Sequence, residues 1–369
     1  MRLDGIDILR GIAVIAVIMY HFFVLLGLTG YSVYPYIKTF GSMGVPLFFI
    51  ISGYLIFRSV ERNIDSKGIK KGLLNYFFHR LFRILPAYYF NLFVVILIAS
   101  FVIGNDYFYS ASFFRQIFTH LTFTNYFIYK SAGFEINGAY WTLGIEMLWY
   151  IVAPLLFIFF RKTRILVTIM LLSLLYIWSI DHGYLDNYFV LDEKSQNYRL
   201  LLYYYISQLP GQINYFIAGI LIYKYSISLP MYSVRSKYLF ASVTVLLFIG
   251  VMGYFNIYLA FLPTHLILLS VTAILFTLLY SARVKGFSFI EWIGKISYSL
   301  YLWHMPILFI MNKSHILEYR SLVDTTLFFL ILLFTLSSMS YYFIEEGGFA
   351  LRTRLTKRFF PEKIKEVDL

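Results

Sequence analysis

The stretch 8–28, ILRGIAVIAVIMYHFFVLLGL, decides the fold class of this chain. Arg10 and His21 are the two side chains of this stretch that can carry a charge near neutral pH, and the rest is almost entirely apolar. A helix needs roughly 20 apolar residues to cross a membrane, because the hydrocarbon core is about 30 Å thick and a helix rises about 1.5 Å per residue. We therefore predict a spanning helix here. It lacks a small-residue cleavage site, so we expect it to be retained rather than removed as a signal peptide.

The composition of the whole chain also predicts a membrane protein. Sixty per cent of its 369 residues are hydrophobic and 14% are charged, whereas soluble domains contain about 25% charged residues. The chain has no cysteine, which excludes disulfides, thiolate metal sites and an acyl-cysteine intermediate. We expect no metal site and no permanently bound cofactor.

Ten segments are apolar enough to be spans, and together they predict an all-α, polytopic membrane helical bundle of about ten transmembrane helices. They lie near 8–28, 40–57, 78–103, 139–160, 164–181, 201–223, 238–255, 257–280, 290–312 and 323–345. We expect a single transmembrane domain, 1–345, followed by a basic tail, 346–369.

The positions of Lys and Arg predict the orientation of this bundle. If the amino terminus is cytoplasmic, the loops on that side, with one adjacent helix edge, contain 20 of the 31 Lys and Arg residues, and the outer loops contain seven. Membrane proteins keep their basic loops in the cytoplasm. Both termini are therefore predicted to be cytoplasmic, and the net charge of +12 is explained by topology rather than by binding of nucleic acid.

Two ionisable residues of the first span lie on one side of its helix. Arg10 and His21 are eleven residues apart, so they share a face to within roughly 20° and are separated by about 16 Å along the axis. Such residues face the protein interior or a water-filled cavity. The alternative is that Arg10 extends to the membrane surface and that His21 forms a hydrogen bond with a neighbouring helix. The shared face favours one functional site.

Two further groups of charged residues are candidates for function. Arg80 and Arg83 lie at i,i+3 on one helix face, and a pair of guanidinium groups suits phosphate groups. An ordinary basic flank of a span is the alternative. Glu146 lies inside the fourth predicted span, where a carboxylate needs a partner, and we expect His21 or an arginine to supply it.

The ninth predicted span contains three polar residues of interest, Ser297, Ser299 and His304. Hydrogen bonds between helices and a catalytic role are both consistent with serines in a span. His304 is predicted to lie in the outer half of the helix.

Five short motifs follow one another along the chain. They are Asp7-Ile8-Leu9-Arg10-Gly11 followed by His21, GVPLFFIISGY at 44–54, RLFRILPAY at 80–88, WTLGIEMLWY at 141–150 and ISYSLYLWH at 296–304. In this order they resemble the motifs of the acyltransferase-3 family of multispanning bacterial membrane enzymes. One departure is Glu345, which is followed by Glu346-Gly347-Gly348 where the family often has a proline.

The resemblance implies transfer of an acyl group, usually acetyl, from cytoplasmic acyl-coenzyme A to a cell-envelope glycan. The acceptor would be a hydroxyl of a glycan such as lipopolysaccharide O-antigen, at the periplasmic side of the bacterial inner membrane. Acetyl-coenzyme A is then a co-substrate rather than a resident cofactor. The expected donor-binding residues are Arg10, Arg80 and Arg83.

His21 and Glu146 are the expected catalytic residues, with His21 either as general base on the acceptor hydroxyl or as transient acceptor of the acyl group. Glu146 is expected to sustain the basicity of His21. Supporting roles are expected for Asp7, Trp141, Ser299 and His304.

A transporter or exporter of envelope polysaccharide precursors is the alternative function. Such proteins commonly contain inverted repeats and broken helices. No repeat is apparent, although Pro210-Gly211 and Pro263 interrupt predicted spans. A transporter would leave the arginine pair unexplained. Because no hydrolase-like domain is appended within these 369 residues, the enzyme would complete the transfer itself or pass the acyl group to a separate partner, and we expect the first.

Overall fold

The computed structural model of this protein is built from helices. It describes residues 4–103, 111–128, 136–189, 198–225, 234–255, 261–280 and 288–359. No β-strand occurs in these ranges, which agrees with the predicted all-α class. The last ten residues of the predicted basic tail, 360–369, lie outside the described residues.

Fifteen α-helices of two turns or more occur within these described ranges. They are α1 Asp4–Leu25, α2 Tyr34–Ser42, α3 44–67, α4 69–103, α5 Ala111–Leu121, α6 Tyr140–Phe159, α7 Thr163–Asp181, α8 Tyr198–Ile206, α9 Leu209–Tyr225, α10 Val234–Phe255, α11 Phe261–Leu279, α12 Ser288–Lys295, α13 Ser297–Lys313, α14 Leu322–Met339 and α15 Glu346–Phe359. A π-helical segment, Ser340–Glu345, joins α14 to α15.

Helices α3 and α4 form a hairpin that reverses at Gly68. Gly68 has φ 72° and ψ 169°, a conformation that glycine adopts easily because it has no Cβ. The Asn75 side-chain amide donates to Asn63 Oδ1 at 2.5 Å, although twelve residues of straight helix would separate them by about 18 Å. The hairpin places the start of α4, which contains Arg80, beside α3.

Six stretches of the described chain are long and apolar enough to cross a membrane. They are Gly5–Leu25, Tyr34–Ile98, Tyr140–Phe159, Thr163–Asp181, Phe261–Leu279 and Leu322–Thr356. The second of these contains the reversal at Gly68, so it covers two of the predicted segments. Each of the ten predicted segments contains α-helix, and the six apolar stretches support a membrane protein. The number of about ten spans and the cytoplasmic position of both termini stay predictions.

Three of the predicted spans are interrupted helices, and the one at 40–57 is interrupted at Met43, between α2 and α3. Between α8 and α9, Pro210 lacks the backbone N–H that would bond the carbonyl of Ile206, and the Gln212 amide donates to that carbonyl instead at 2.9 Å. Helices α12 and α13 are separated at Ile296. The sequence pattern shows apolar length but not these local breaks.

Helix α1 lies at the centre of the bundle, against α2, the α3–α4 hairpin, α12 and α13. Glycines allow this close packing. A Cβ added at Gly294 of α12 would lie 1.7 Å from the carbonyl oxygen of Asp7, and one added at Gly53 of α3 would lie 2.0 Å from that of Phe216 in α9. Small residues let helix backbones approach closely in membranes. This packing holds Arg10 and His21 inside the protein.

Candidate active site

Three cavities follow one another along α1. We name them the basic cavity, of about 320 Å³, the middle cavity, of about 90 Å³, and the histidine cavity, of about 480 Å³. Arg10 and Arg83 line both the basic and the middle cavity. Val45 and Tyr301 line both the middle and the histidine cavity. The middle cavity therefore shares a wall with each of the other two cavities. Arg10 and His21 line different cavities.

The basic cavity is lined by four cationic and two carboxylate side chains. They are Arg10, Arg58, Arg83 and Lys295, with Asp7 and Glu345. Asp7 Oδ1 accepts a hydrogen bond from Arg10 Nη1 at 3.5 Å. Sequence reasoning selected Asp7, Arg10 and Arg83 but missed the other three residues. Arg58 and Lys295 are indistinguishable in sequence from ordinary basic flanks of spans.

Arg80 lies apart from the basic cavity, in the wall of the middle one. Its Nη2 donates to the carbonyl of Leu55 at 3.4 Å. Its guanidinium carbon lies 5.8 Å from the ring centre of Tyr76 and 5.7 Å from that of Tyr150. Arg80 and Arg83 were expected to form one pair on phosphate groups. In the structure both line the middle cavity, and only Arg83 also lines the basic cavity; their role on phosphate groups stays a prediction.

Glu146 has different partners from those expected. Its Oε1 accepts hydrogen bonds from Ser52 Oγ at 3.1 Å and from the Tyr150 hydroxyl at 3.0 Å. It lines the middle cavity, whereas His21 lines the histidine cavity. The expectation that Glu146 would pair with His21 is therefore corrected, whereas Arg10, Arg80 and Arg83 line the middle cavity together with Glu146. The reason is that α6 turns this carboxylate towards α3 and away from the outer part of α1.

The residue beside His21 is His304. His21 Nδ1 lies 3.1 Å from His304 Nε2, and His304 Nδ1 lies 2.7 Å from the carbonyl oxygen of Tyr301. A carbonyl oxygen only accepts hydrogen bonds, so Nδ1 of His304 carries a proton and Nε2 of its neutral ring is an acceptor. His21 must then donate through Nδ1. Its Nε2 keeps a free lone pair, as a base or a nucleophile requires.

Tyr301 separates the middle cavity from the histidine cavity and is fixed by the fourth motif. Its hydroxyl donates to the carbonyl of Ala139 at 3.1 Å and lies 2.8 Å from Thr142 Oγ1. Because the carbonyl of Tyr301 also holds His304, Thr142 supports the histidine pair from a distance. Trp141, the first residue of this motif, lines the histidine cavity itself. The structure thus brings the first, fourth and fifth motifs together.

Ser299 and Glu345 form a buried pair outside the reacting centre. Ser299 Oγ donates to Glu345 Oε1 at 2.5 Å, and Glu345 is the last residue of the π-helical segment. Such segments occur frequently at functional sites. Glu345 was not among the predicted site residues. The signal that identifies it is a carboxylate inside a predicted span.

A match to a known family accounts for these motifs. Residues 3–343 match the model of a family described as an acyltransferase domain. The chain belongs to the acyltransferase-3 family. This membership makes it an acyltransferase and decides against the transporter interpretation.

The relatives of this acyltransferase-3 chain include proteins from a virus and from bacteria. A provisionally named acetyltransferase of Acidianus two-tailed virus is 26% identical over 301 residues, which are 80% of this chain and 81% of the relative. A provisionally named O-acetyltransferase of Staphylococcus aureus is 28% identical over 408 residues, 99% of this chain and 61% of the relative. Peptidoglycan O-acetyltransferase OatA of Listeria monocytogenes is 25% identical, over 92% of this chain and 55% of the relative.

The acyltransferase-3 chain therefore spans about three fifths of the length of the staphylococcal relative and about half that of the listerial one. No solved structure matches it.

Proposed function

We propose that this enzyme transfers an acetyl group from cytoplasmic acetyl-coenzyme A to a hydroxyl of a cell-envelope glycan at the periplasmic side of the bacterial inner membrane. The acceptor is a glycan such as lipopolysaccharide O-antigen or peptidoglycan, the latter being the acceptor in the name of the listerial relative. The observation that supports this proposal most strongly is that arginines and His21 line consecutive cavities along α1. The acyl donor therefore enters at one end and reacts at the other.

The proposed topology has about ten spans with both termini cytoplasmic. It rests on the excess of Lys and Arg in the loops on the side of the amino terminus. In this orientation the basic cavity, beside the amino-terminal turn of α1, opens to the cytoplasm. The histidine cavity then lies towards the periplasm, where envelope glycans are.

The dimensions of the donor fit this path. The pantetheine arm of coenzyme A has about thirteen bonds between its diphosphate and its sulfur, which extend to about 16 Å at the reach per bond of an extended chain. Arg10 and His21 are separated by about 16 Å along α1. A diphosphate held by Arg10 and Arg83 thus places the thioester at His21. The middle cavity, of about 90 Å³, suits a thin chain and excludes the nucleotide.

The chemistry of transfer needs one proton carrier at the histidine cavity. If His21 is a general base, its Nε2 takes the proton of the acceptor hydroxyl while the hydroxyl oxygen attacks the thioester carbonyl carbon. The C–O bond forms, the C–S bond breaks, and the proton passes to the thiolate that leaves. If His21 is a nucleophile, Nε2 bonds the carbonyl carbon as the C–S bond breaks and the thiolate leaves; the acceptor hydroxyl oxygen then bonds that carbon, the C–N bond breaks, and the hydroxyl proton passes through Nε2 to the thiolate. His304 holds Nδ1 of His21 in both cases.

Glu146 is assigned to the path of the donor rather than to the reacting atoms. It lines the middle cavity with Ser52, and its carboxylate is an acceptor for the amide N–H groups of a pantetheine arm.

Transfer of radiolabelled acetyl groups tests this function. Membranes that contain the chain, supplied with labelled acetyl-coenzyme A and envelope glycan, are expected to form alkali-labile labelled ester on the glycan. Matched membranes without the chain should form none. Absence of label on both lipopolysaccharide and peptidoglycan, with the chain present in the membrane, would contradict the proposed donor and acceptor pair.

A further inference from the structure

We infer that the basic cavity is a nucleotide-binding site in which Arg58 and Lys295 bind a ribose phosphate and Phe349 stacks on the base. Through these residues the enzyme selects a donor that carries a ribose phosphate. The inference rests on the proposed function in that the donor is a nucleotide thioester. Binding of the nucleotide alone is measurable without any transfer reaction.

The charges of the basic cavity are unbalanced in favour of an anion. Four cationic side chains share the cavity with two carboxylates. Asp7 is paired with Arg10, and Glu345, which accepts a hydrogen bond from Ser299, also attracts Arg83 and Arg10 electrostatically. The other three cationic side chains of the cavity have neither a hydrogen bond nor an ion pair to any residue that the structure describes; they are Arg58, Arg83 and Lys295. They come from three different helices, α3, α4 and α12. Like charges brought into one cavity repel each other unless an anion is bound among them.

The division of the cations between cavities distinguishes two phosphate positions. Arg10 and Arg83 line both the basic and the middle cavity, so they lie where the diphosphate joins the pantetheine arm. Arg58 and Lys295 line only the basic cavity. They are therefore placed for a second phosphate, away from the arm. In coenzyme A that phosphate is on the ribose.

Aromatic rings at the same cavity favour a nucleotide over other phosphates. Phe349 of α15 and Tyr341 of the π-helical segment line the basic cavity. Aromatic rings stack on any nucleobase because every base has a flat π-face, whereas inorganic phosphate and lipid headgroups have no flat ring on which Phe349 or Tyr341 could stack. The volume of about 320 Å³ lies at the lower end of the range for small-molecule pockets.

Calorimetry on the purified full chain in detergent tests the site with three probes. These are adenosine 3′,5′-bisphosphate, adenosine 5′-monophosphate and inorganic phosphate. The bisphosphate is expected to bind about tenfold more tightly than the monophosphate, the change expected for one charge-assisted hydrogen bond. Arg58→Gln and Lys295→Gln should each remove most of this preference. Arg62→Gln is the matched control, because Arg62 lies one turn further along α3 and is exposed.

Phe349→Leu gives an independent reading of the stacking contact. This substitution is expected to lower the affinity for both nucleotides equally and to leave the ratio of the two affinities unchanged, because it removes the ring and no charge.

Three results would overturn the nucleotide site. They are equal affinity for bisphosphate and monophosphate in the wild-type chain, unchanged preference in both cation variants, and displacement of the bisphosphate by phosphate or by anionic lipid vesicles at equal concentration. The first result uses no variant, so it stands even if a variant fails to fold. If the chain transfers acetyl from acetyl-coenzyme A but does not prefer the bisphosphate over the monophosphate, the nucleotide site is contradicted and the proposed function is kept. Selective bisphosphate binding without any transfer would contradict the proposed function alone.

Discussion

His21→Ala is expected to lower kcat for acetyl transfer by about 10³-fold or more, since it removes the base or nucleophile of the reaction. The variant should still insert, accumulate and bind acetyl-coenzyme A, because Arg10 and Arg83 lie in other cavities. Initial rates on membranes matched for protein level measure the effect. A rate within tenfold of wild type would remove His21 from the reacting centre.

His304 offers a matched variant that separates positioning from chemistry. Its Nε2 lies 3.1 Å from Nδ1 of His21, and the proposed mechanism gives it no proton transfer with the substrate. His304→Ala is expected to lower kcat by about 10²-fold with little change in KM for the donor, because Nε2 of His21 loses its fixed tautomer. His304→Gln, whose side-chain carbonyl accepts a hydrogen bond, should recover part of the rate. A purely structural role would give equal losses in both variants.

The same preparations distinguish the two roles of His21. Label that remains on the wild-type chain when acceptor is omitted, and is absent from His21→Ala, indicates a transient acyl-histidine. Label found only on glycan indicates direct transfer.

Gly294→Val is expected to prevent accumulation of folded protein. A Cβ at this position would lie 1.7 Å from the carbonyl oxygen of Asp7, and a backbone atom cannot rotate away as a side chain does. Helix α1 would have to move, at a cost of about 1–3 kcal/mol or more for overpacking. The fraction of fluorescent fusion protein that elutes as a single species on size exclusion measures the effect.

Gly250→Val is the control for this experiment, because a Cβ at Gly250 meets no atom within 4 Å. It should elute like wild type. Equal behaviour of the two variants would contradict the close packing of α1 against α12.

Local periodicity predicted the helices and part of the site. The eleven-residue spacing of Arg10 and His21 placed both on one face of α1, and both line cavities along it. Such predictions succeed because the geometry of a single helix determines them. The positive φ at Gly68 and the break at Pro210 depend on local conformation, which hydropathy does not report.

Contacts between distant helices were not predictable from the sequence. His21 meets His304, which is 283 residues away, and Glu146 meets Ser52 rather than His21. The choice between such partners depends on how each helix is rotated about its axis, which is set by packing against several neighbours. Lys295 was missed for a related reason, since only the packed bundle shows that it lines a cavity.

Transfer across the membrane is the most direct test of the account. Inside-out vesicles with envelope glycan trapped in the lumen would receive labelled acetyl-coenzyme A, which does not cross the bilayer, from outside. Labelled glycan is expected in the lumen, and none is expected in right-side-out vesicles treated in the same way. Label confined to glycan on the same side as the donor would contradict a path from the basic cavity to His21.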